Sequence, residues 1–78
     1  EYALPYDMLI LSPGAEPVLP PPLRTQSNRI FTLRNIPDTY RIKDYAEKGG
    51  IGHAVVVGAG YIGIEMAENL VHKGIQVT

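Results

Sequence analysis

The chain has 78 residues, about half the length of an ordinary domain, and a chain of that size buries only ~60% of its unfolded surface, so any core is small. Apolar residues make up 45% and charged residues 19%, with seven Lys+Arg against eight Asp+Glu for a net charge of −1, a balance that argues against disorder and against a nucleic-acid-binding face. Cysteine is absent, which removes disulfides, thiolate metal sites and thiol nucleophiles from these residues,.

No uninterrupted apolar run exceeds four residues, and the start lacks the basic and apolar pattern of a signal peptide,. The first residue is Glu1 and the last, Thr78, falls within an apolar alternation, so the chain is expected to be a piece of a longer protein.

All seven prolines fall between Pro5 and Pro37. Tyr6-Asp7-Met8-Leu9-Ile10-Leu11, closed by Ser12-Pro13-Gly14, predicts a buried strand ending in a turn. From Pro13 to Arg29 the prolines remove backbone donors and favour extended neighbours, which predicts a semi-rigid connector. Ile30-Phe31-Thr32-Leu33 predicts another short strand. Asn35, with Pro37 in the first turn and Asp38 three residues on, predicts a helix start. That helix is expected to run to about Lys48, with Ile36, Tyr40, Ile42, Tyr45 and Ala46 as a loose apolar face and Gly49-Gly50 as its stop.

Ala54-Val55-Val56-Val57 is β-branched, uncharged and bounded by glycines, the pattern of a central parallel strand covered on both faces. Tyr61 to Lys73 predicts a helix whose Ile62, Gly63, Met66, Ala67, Leu70 and Val71 recur at spacings of three and four and face a sheet. Gly74 ends it, and Ile75-Gln76-Val77-Thr78 predicts a last strand. The expected fold class is α/β: strand, helix and parallel strand joined by a right-handed crossover.

Val57-Gly58-Ala59-Gly60-Tyr61-Ile62-Gly63 lies where a phosphate-binding loop must lie, between a buried strand and the opening of a helix. The first glycine permits the tight turn, the second lets a pyrophosphate approach the backbone, and the third lets the helix pack on the sheet. Exposed amides at the helix N-terminus, aided by the macrodipole, then bind the anion. An ordinary strand-to-helix turn also carries glycines, but Ala67 and Gly74 stand in register with the longer dinucleotide-binding pattern. The acidic residue that grips the adenosine ribose is expected about 20 residues past the loop, beyond Thr78, so NAD and NADP both stay open, with Gly63 at the third position favouring NADH. His53 and His72 have no partner at metal-ligand spacing and are expected at the surface. Arg24, Arg29, Arg34, Arg41 and Lys43 are expected to be solvated, although one of them could meet a cofactor phosphate. Tyr2, Tyr6, Tyr40 and Tyr45 are expected to pack.

With these residues in view the sequence resembles the pyridine nucleotide-disulfide oxidoreductases, flavoproteins with an NAD(P)H domain inserted into an FAD domain. Tyr6 through Pro17 resembles the end of the first FAD segment. Phe31-Thr32-Leu33-Arg34-Asn35, with Asp38, Ile42 and Lys43, resembles the connector and leading helix. Ala54 through Leu70 is similar to the nicotinamide-nucleotide fingerprint, closest to the coenzyme A-disulfide reductase, NADH oxidase and NADH peroxidase branch.

The resemblance implies residues 1–36 as the end of an FAD-binding segment and its Pro-rich connector, and 37–78 as the start of a Rossmann-like NAD(P)-binding domain with its first βαβ unit. It further implies FAD near Gly14, and the pyridine nucleotide's pyrophosphate on Gly58, Gly60 and Gly63. Tyr61 becomes a gate over the flavin and Glu65 an acceptor for the nicotinamide amide; packing at the helix start and a favourable dipole interaction are the respective alternatives. The family's first glycine loop, redox cysteine and dimerisation segments have no counterpart here, so no catalytic residue is expected in this chain. The parent is expected to be a cytoplasmic homodimer acting on a small-molecule redox substrate, without nucleic-acid or membrane partners. Its reaction would carry hydride from NAD(P)H to flavin and on to a disulfide, peroxide or oxygen. A non-catalytic dinucleotide-binding or regulatory module and a chain serving only association are the competing classes.

Overall fold

The computed structural model describes every residue from Glu1 to Thr78. Helix α1 spans Ile36–Glu47, where local chemistry favours it. The Asn35 side chain accepts from the Asp38 amide at 3.0 Å, and the Asp38 carboxylate accepts from the Asn35 amide at 3.2 Å. This reciprocal box satisfies two amides at a helix start, and the preceding Arg34 amide donates to the same carboxylate at 3.0 Å. The chain then turns at Gly49-Gly50 and enters strand β1, His53–Ala54.

Helix α2, Tyr61–His72, follows, and then strand β2, Gln76–Val77. The two strands are parallel, with His53 opposite Gln76 and Ala54 opposite Val77. Flanking bonds lengthen the ladder beyond the formal strands: Gln76 donates to the Gly52 carbonyl at 3.0 Å, Thr78 to Ala54 at 3.0 Å, and Val56 to Thr78 at 2.8 Å. Across the strand ends, His53 Nε2 and Thr78 Oγ1 lie 2.8 Å apart.

At the end of α2 the Ile75 amide reaches back to the Leu70 carbonyl at 3.1 Å and the Gly74 amide to Val71 at 2.9 Å. That is the Schellman arrangement, which commonly brings together apolar side chains at the two outer positions. Those positions are Leu70 and Ile75, the two buried residues of the chain. The core therefore sits where α2 turns into β2.

The N-terminal third departs from the expected pattern. Tyr6–Leu11 forms no strand and is exposed throughout, from Leu9 at 57% to Ile10 at 89%. A strand needs a neighbour to take its ladder bonds, and no other segment of the chain pairs with this one. The prolines produce a single 3₁₀ turn at Pro21–Leu23. Ile30–Leu33 is half-buried but likewise not a strand; Phe31 packs its ring on Tyr45 of α1, centroids 5.2 Å apart. Val55 and Val57 are 69% and 75% exposed, so the expected strand covered on both faces is a short one with a single neighbour. The radius of gyration, 17.3 Å, exceeds the about 11.5 Å of a compact chain this long,.

Candidate functional site

The glycine turn between β1 and α2 leaves backbone donors free at the start of the helix. Gly58 takes φ +105, a conformation that L side chains rarely adopt, and turns the chain out of β1,. Gly60 precedes α2 in extended conformation, φ −76 and ψ 178, and no side chain caps the helix. The first amide of α2 to bond back along the chain is that of Ile64, to the Gly60 carbonyl at 3.0 Å. The amides of Tyr61, Ile62 and Gly63 are thus without acceptors in the chain, and no acidic residue stands in the first turn. Donors left over at a helix N-terminus, with the dipole behind them, attract an anion.

Gly60 and Gly63 differ in what a side chain would meet. A Cβ on Gly63 would collide with the Gly58 backbone and lie 3.5 Å from Val56 Cγ1, whereas one on Gly60 would meet nothing within 4 Å. Gly63 is needed for the helix to close onto the turn and strand; Gly60 leaves open space in front of the backbone. Beside the turn lies a hollow of about 160 Å³ lined by Val56, Gly58, Ala59, Gly63, Ile64, Ala67, Val77 and Thr78.

The other predicted residues lie around this centre and away from it. Val57 and Tyr61 are exposed, Tyr61 to 92%. Ile62 and Glu65 line a second, larger groove of about 460 Å³ between α1 and α2, with Leu33, Arg34, Ile42, Met66 and Lys73 among its walls. Glu65 is the fifth residue of α2 and so lies beyond the first turn. Gly14 takes φ +75 and its neighbour is the Arg34 guanidinium.

Polar links that spacing did not reveal tie these pieces together. Lys73 Nζ donates to Glu47 Oε1 at 3.0 Å, joining the ends of α2 and α1. That hydrogen bond, with the charges of Lys73 and Lys43, holds the Glu47 carboxyl below its ordinary value against desolvation and the nearby Asp44. Arg34 lies 3.7 Å from Glu16; the two are 18 positions apart across the proline connector, and no motif marks the pair. No helix is long and apolar enough to cross a membrane.

A family model described as pyridine nucleotide-disulphide oxidoreductase matches residues 1–78. The chain belongs to the pyridine nucleotide-disulphide oxidoreductase family. Among curated relatives, a coenzyme A disulfide reductase of Staphylococcus epidermidis is 48% identical over 73 residues, covering 94% of this chain and 16% of that protein. The same figures hold for the coenzyme A disulfide reductase of Staphylococcus haemolyticus. An NADH oxidase of Methanocaldococcus jannaschii is 42% identical over 77 residues, 99% of this chain and 17% of that protein. The chain therefore spans about a sixth of the length of the relatives it matches. No solved structure matches it. Members of this oxidoreductase family are flavoproteins whose cofactors are FAD and NAD(P)H, so the family expected from the glycine turn and its flanks is the one found.

Proposed function

We propose that this chain supplies the pyrophosphate-binding turn of the nicotinamide-dinucleotide site in an FAD-dependent oxidoreductase that transfers hydride from NAD(P)H to flavin and on to a disulfide, a peroxide or oxygen. The observation that carries the proposal is the uncapped start of α2: three amides without acceptors behind a glycine turn that leaves open space at Gly60. β1, α2 and β2 are then the first βαβ unit of a Rossmann-like domain beginning at residue 37, and residues 1–36 close an FAD-binding segment and connect the two. A phosphate has the charge and acceptor oxygens that such amides lack.

In this reading Val57, Gly58, Ala59 and Gly60 shape the turn, and the amides of Tyr61, Ile62 and Gly63 hold the pyrophosphate. Tyr61, exposed at the head of α2, covers the flat ring system of the flavin until nicotinamide displaces it. Glu65, one turn further on, accepts from the nicotinamide carboxamide. Gly14 lets the backbone of its turn approach the FAD. When bound, nicotinamide supplies the hydride and flavin takes it up; the residues of this chain bind, orient and shield.

The deciding experiment is the visible absorption spectrum of the purified protein of the full reading frame, before and after anaerobic NADH. A bound flavin that bleaches on NADH addition supports the oxidoreductase. Dinucleotide binding without flavin would instead favour a regulatory module.

A further inference from the structure

The segment that leads into α1 is packed against that helix. Ile30 to Leu33 are half-buried, whereas every residue from Arg24 to Arg29 is exposed. Ile30-Phe31-Thr32-Leu33 has the composition of a strand but no strand beside it, and side-chain packing takes the place of a ladder. Phe31 sets its ring against that of Tyr45 in α1, with centroids 5.2 Å apart and planes tilted by 58°, a geometry that aromatic pairs favour. Leu33 joins Ile42 and Ala46 of α1 and Met66 and Leu70 of α2 in lining the groove between the helices. The Arg34 amide then donates to the Asp38 carboxylate at 3.0 Å, so the bonding of α1 begins two residues before its first helical residue. The residues on the other side of this segment bond only among themselves. Arg24 Nε donates to the Leu19 carbonyl at 2.8 Å, the Thr25 amide to the Leu23 carbonyl at 2.9 Å, and the Ser27 and Arg29 amides to hydroxyls two residues back. No hydrogen bond runs from residues 19–29 to any residue after Arg29.

We propose that the Phe31–Tyr45 ring pair anchors residues 30–35 to α1 so that segment and helix move as one body, and that the connector yields between Arg24 and Arg29. A stretch that is exposed and hydrogen-bonded to nothing beyond itself opens at the least cost. The ion pair that spans it, Arg34 to Glu16 at 3.7 Å, is exposed and contributes little,. One consequence rests on the reading that residues 37–78 open the nicotinamide-binding domain: the body of that domain then starts at Ile30, and the joint to the flavin-side segment lies just after the prolines. The anchor itself rests only on the packing of Phe31 and Leu33 and on the Arg34 amide.

The test is limited trypsinolysis of the full-length protein with mass spectrometry of the early fragments, in wild type, Phe31→Ala, Phe31→Leu, Tyr45→Leu and the double variant Phe31→Ala with Tyr45→Leu. The wild type is expected to be cut first after Arg24 and Arg29, and at least about tenfold more slowly after Arg34, although Arg34 is also exposed,. Phe31→Ala is expected to raise cleavage after Arg34 about tenfold and Phe31→Leu about threefold, with cleavage after Arg41, inside α1, unchanged. The double variant is expected to match Phe31→Ala within about twofold, because both substitutions remove the same contact. Cleavage of the wild type after Arg34 as fast as after Arg29 overturns the single body, and resistance at both Arg24 and Arg29 overturns the joint. Single effects that multiply in the double variant overturn the anchor, since the two rings then act separately. A parallel rise after Arg41 also overturns it, since the whole fold is then loosened. Flavin content is measured on the same samples: the expected cuts in a protein that holds no flavin leave the anchor standing and refute only the flavin-side reading of the N-terminal segment.

Discussion

Replacing Gly60 by valine separates ligand binding from folding. Residue 60 is extended, φ −76 and ψ 178, a conformation that suits a β-branched residue, and its Cβ would meet no atom of the chain within 4 Å. The substitution therefore places a side chain in front of the α2 amides at no steric cost to the protein, and Tm is expected to stay within about 2 °C of wild type. Hydrogen bonds to a charged group are worth ~1.5–3 kcal/mol each. Pushing the pyrophosphate off one or two of the three free amides then costs ~1.5–6 kcal/mol, a loss of nicotinamide affinity of at least about tenfold. The assay is a titration of the full-length protein with NADH and NADPH, alongside flavin content and thermal melting. Gly63→Ala is the contrasting control. Its Cβ strikes the Gly58 backbone, so it is expected to lower stability by about 1–3 kcal/mol, as overpacking does, and to weaken binding through the distorted turn. Nicotinamide affinity within threefold of wild type in Gly60→Val, or equal loss of flavin and nicotinamide at unchanged Tm, would refute the assignment of the turn.

Asn35→Ala removes the side-chain acceptor for the Asp38 amide and is expected to destabilise the protein by ~1 kcal/mol in denaturant titration; no loss would show that the Asp38 carboxylate alone holds the helix start. The Glu47 carboxyl sits below its ordinary value of 4.5 in the folded chain, so the stability it contributes is complete above that value and lost as pH falls through the lowered one. Glu47→Gln should abolish that component of acid destabilisation, and added salt should weaken it because the pair is exposed. The 78-residue chain by itself is expected to self-associate: Met8, Ile10, Leu11, Val55 and Val57 are all more than two-thirds exposed, and β1 and β2 each present an open edge,. Sedimentation showing a compact monomer that melts cooperatively would contradict this.

The helices were legible because their boundaries are signalled within a few residues. Asn35, Pro37 and Asp38 encode the start of α1 by a local exchange of hydrogen bonds, and Gly74 encodes the Schellman end of α2,. The strands were less legible because a strand is a relation between segments. Tyr6–Leu11 has the right composition and no partner to pair with, while Ala54–Val57 has one partner on one side and pairs only as far as Val56. Composition reports which side chains suit a sheet, not whether a neighbour is present.

The same distinction separates the parts of the site. The turn from Gly58 to Gly63 was legible because its requirements are local: a positive φ at the first glycine, open space at the second and close approach at the third, all within six residues. The α1–α2 groove was not, because Arg34 and Glu65 come to line it from positions 31 apart, and Lys73 meets Glu47 across 26. Glu65 illustrates the point. The family resemblance implied a ligand contact for it, with a helix-dipole contact as the alternative, but the dipole acts within the first turn and Glu65 lies beyond it, facing the groove that α1 helps to form. Glu65 thus stands in a wall that residues of α1 and α2 build together. A perturbation at the Glu47–Lys73 link, which joins the far ends of those two helices, should therefore reach Glu65 without touching the glycine turn.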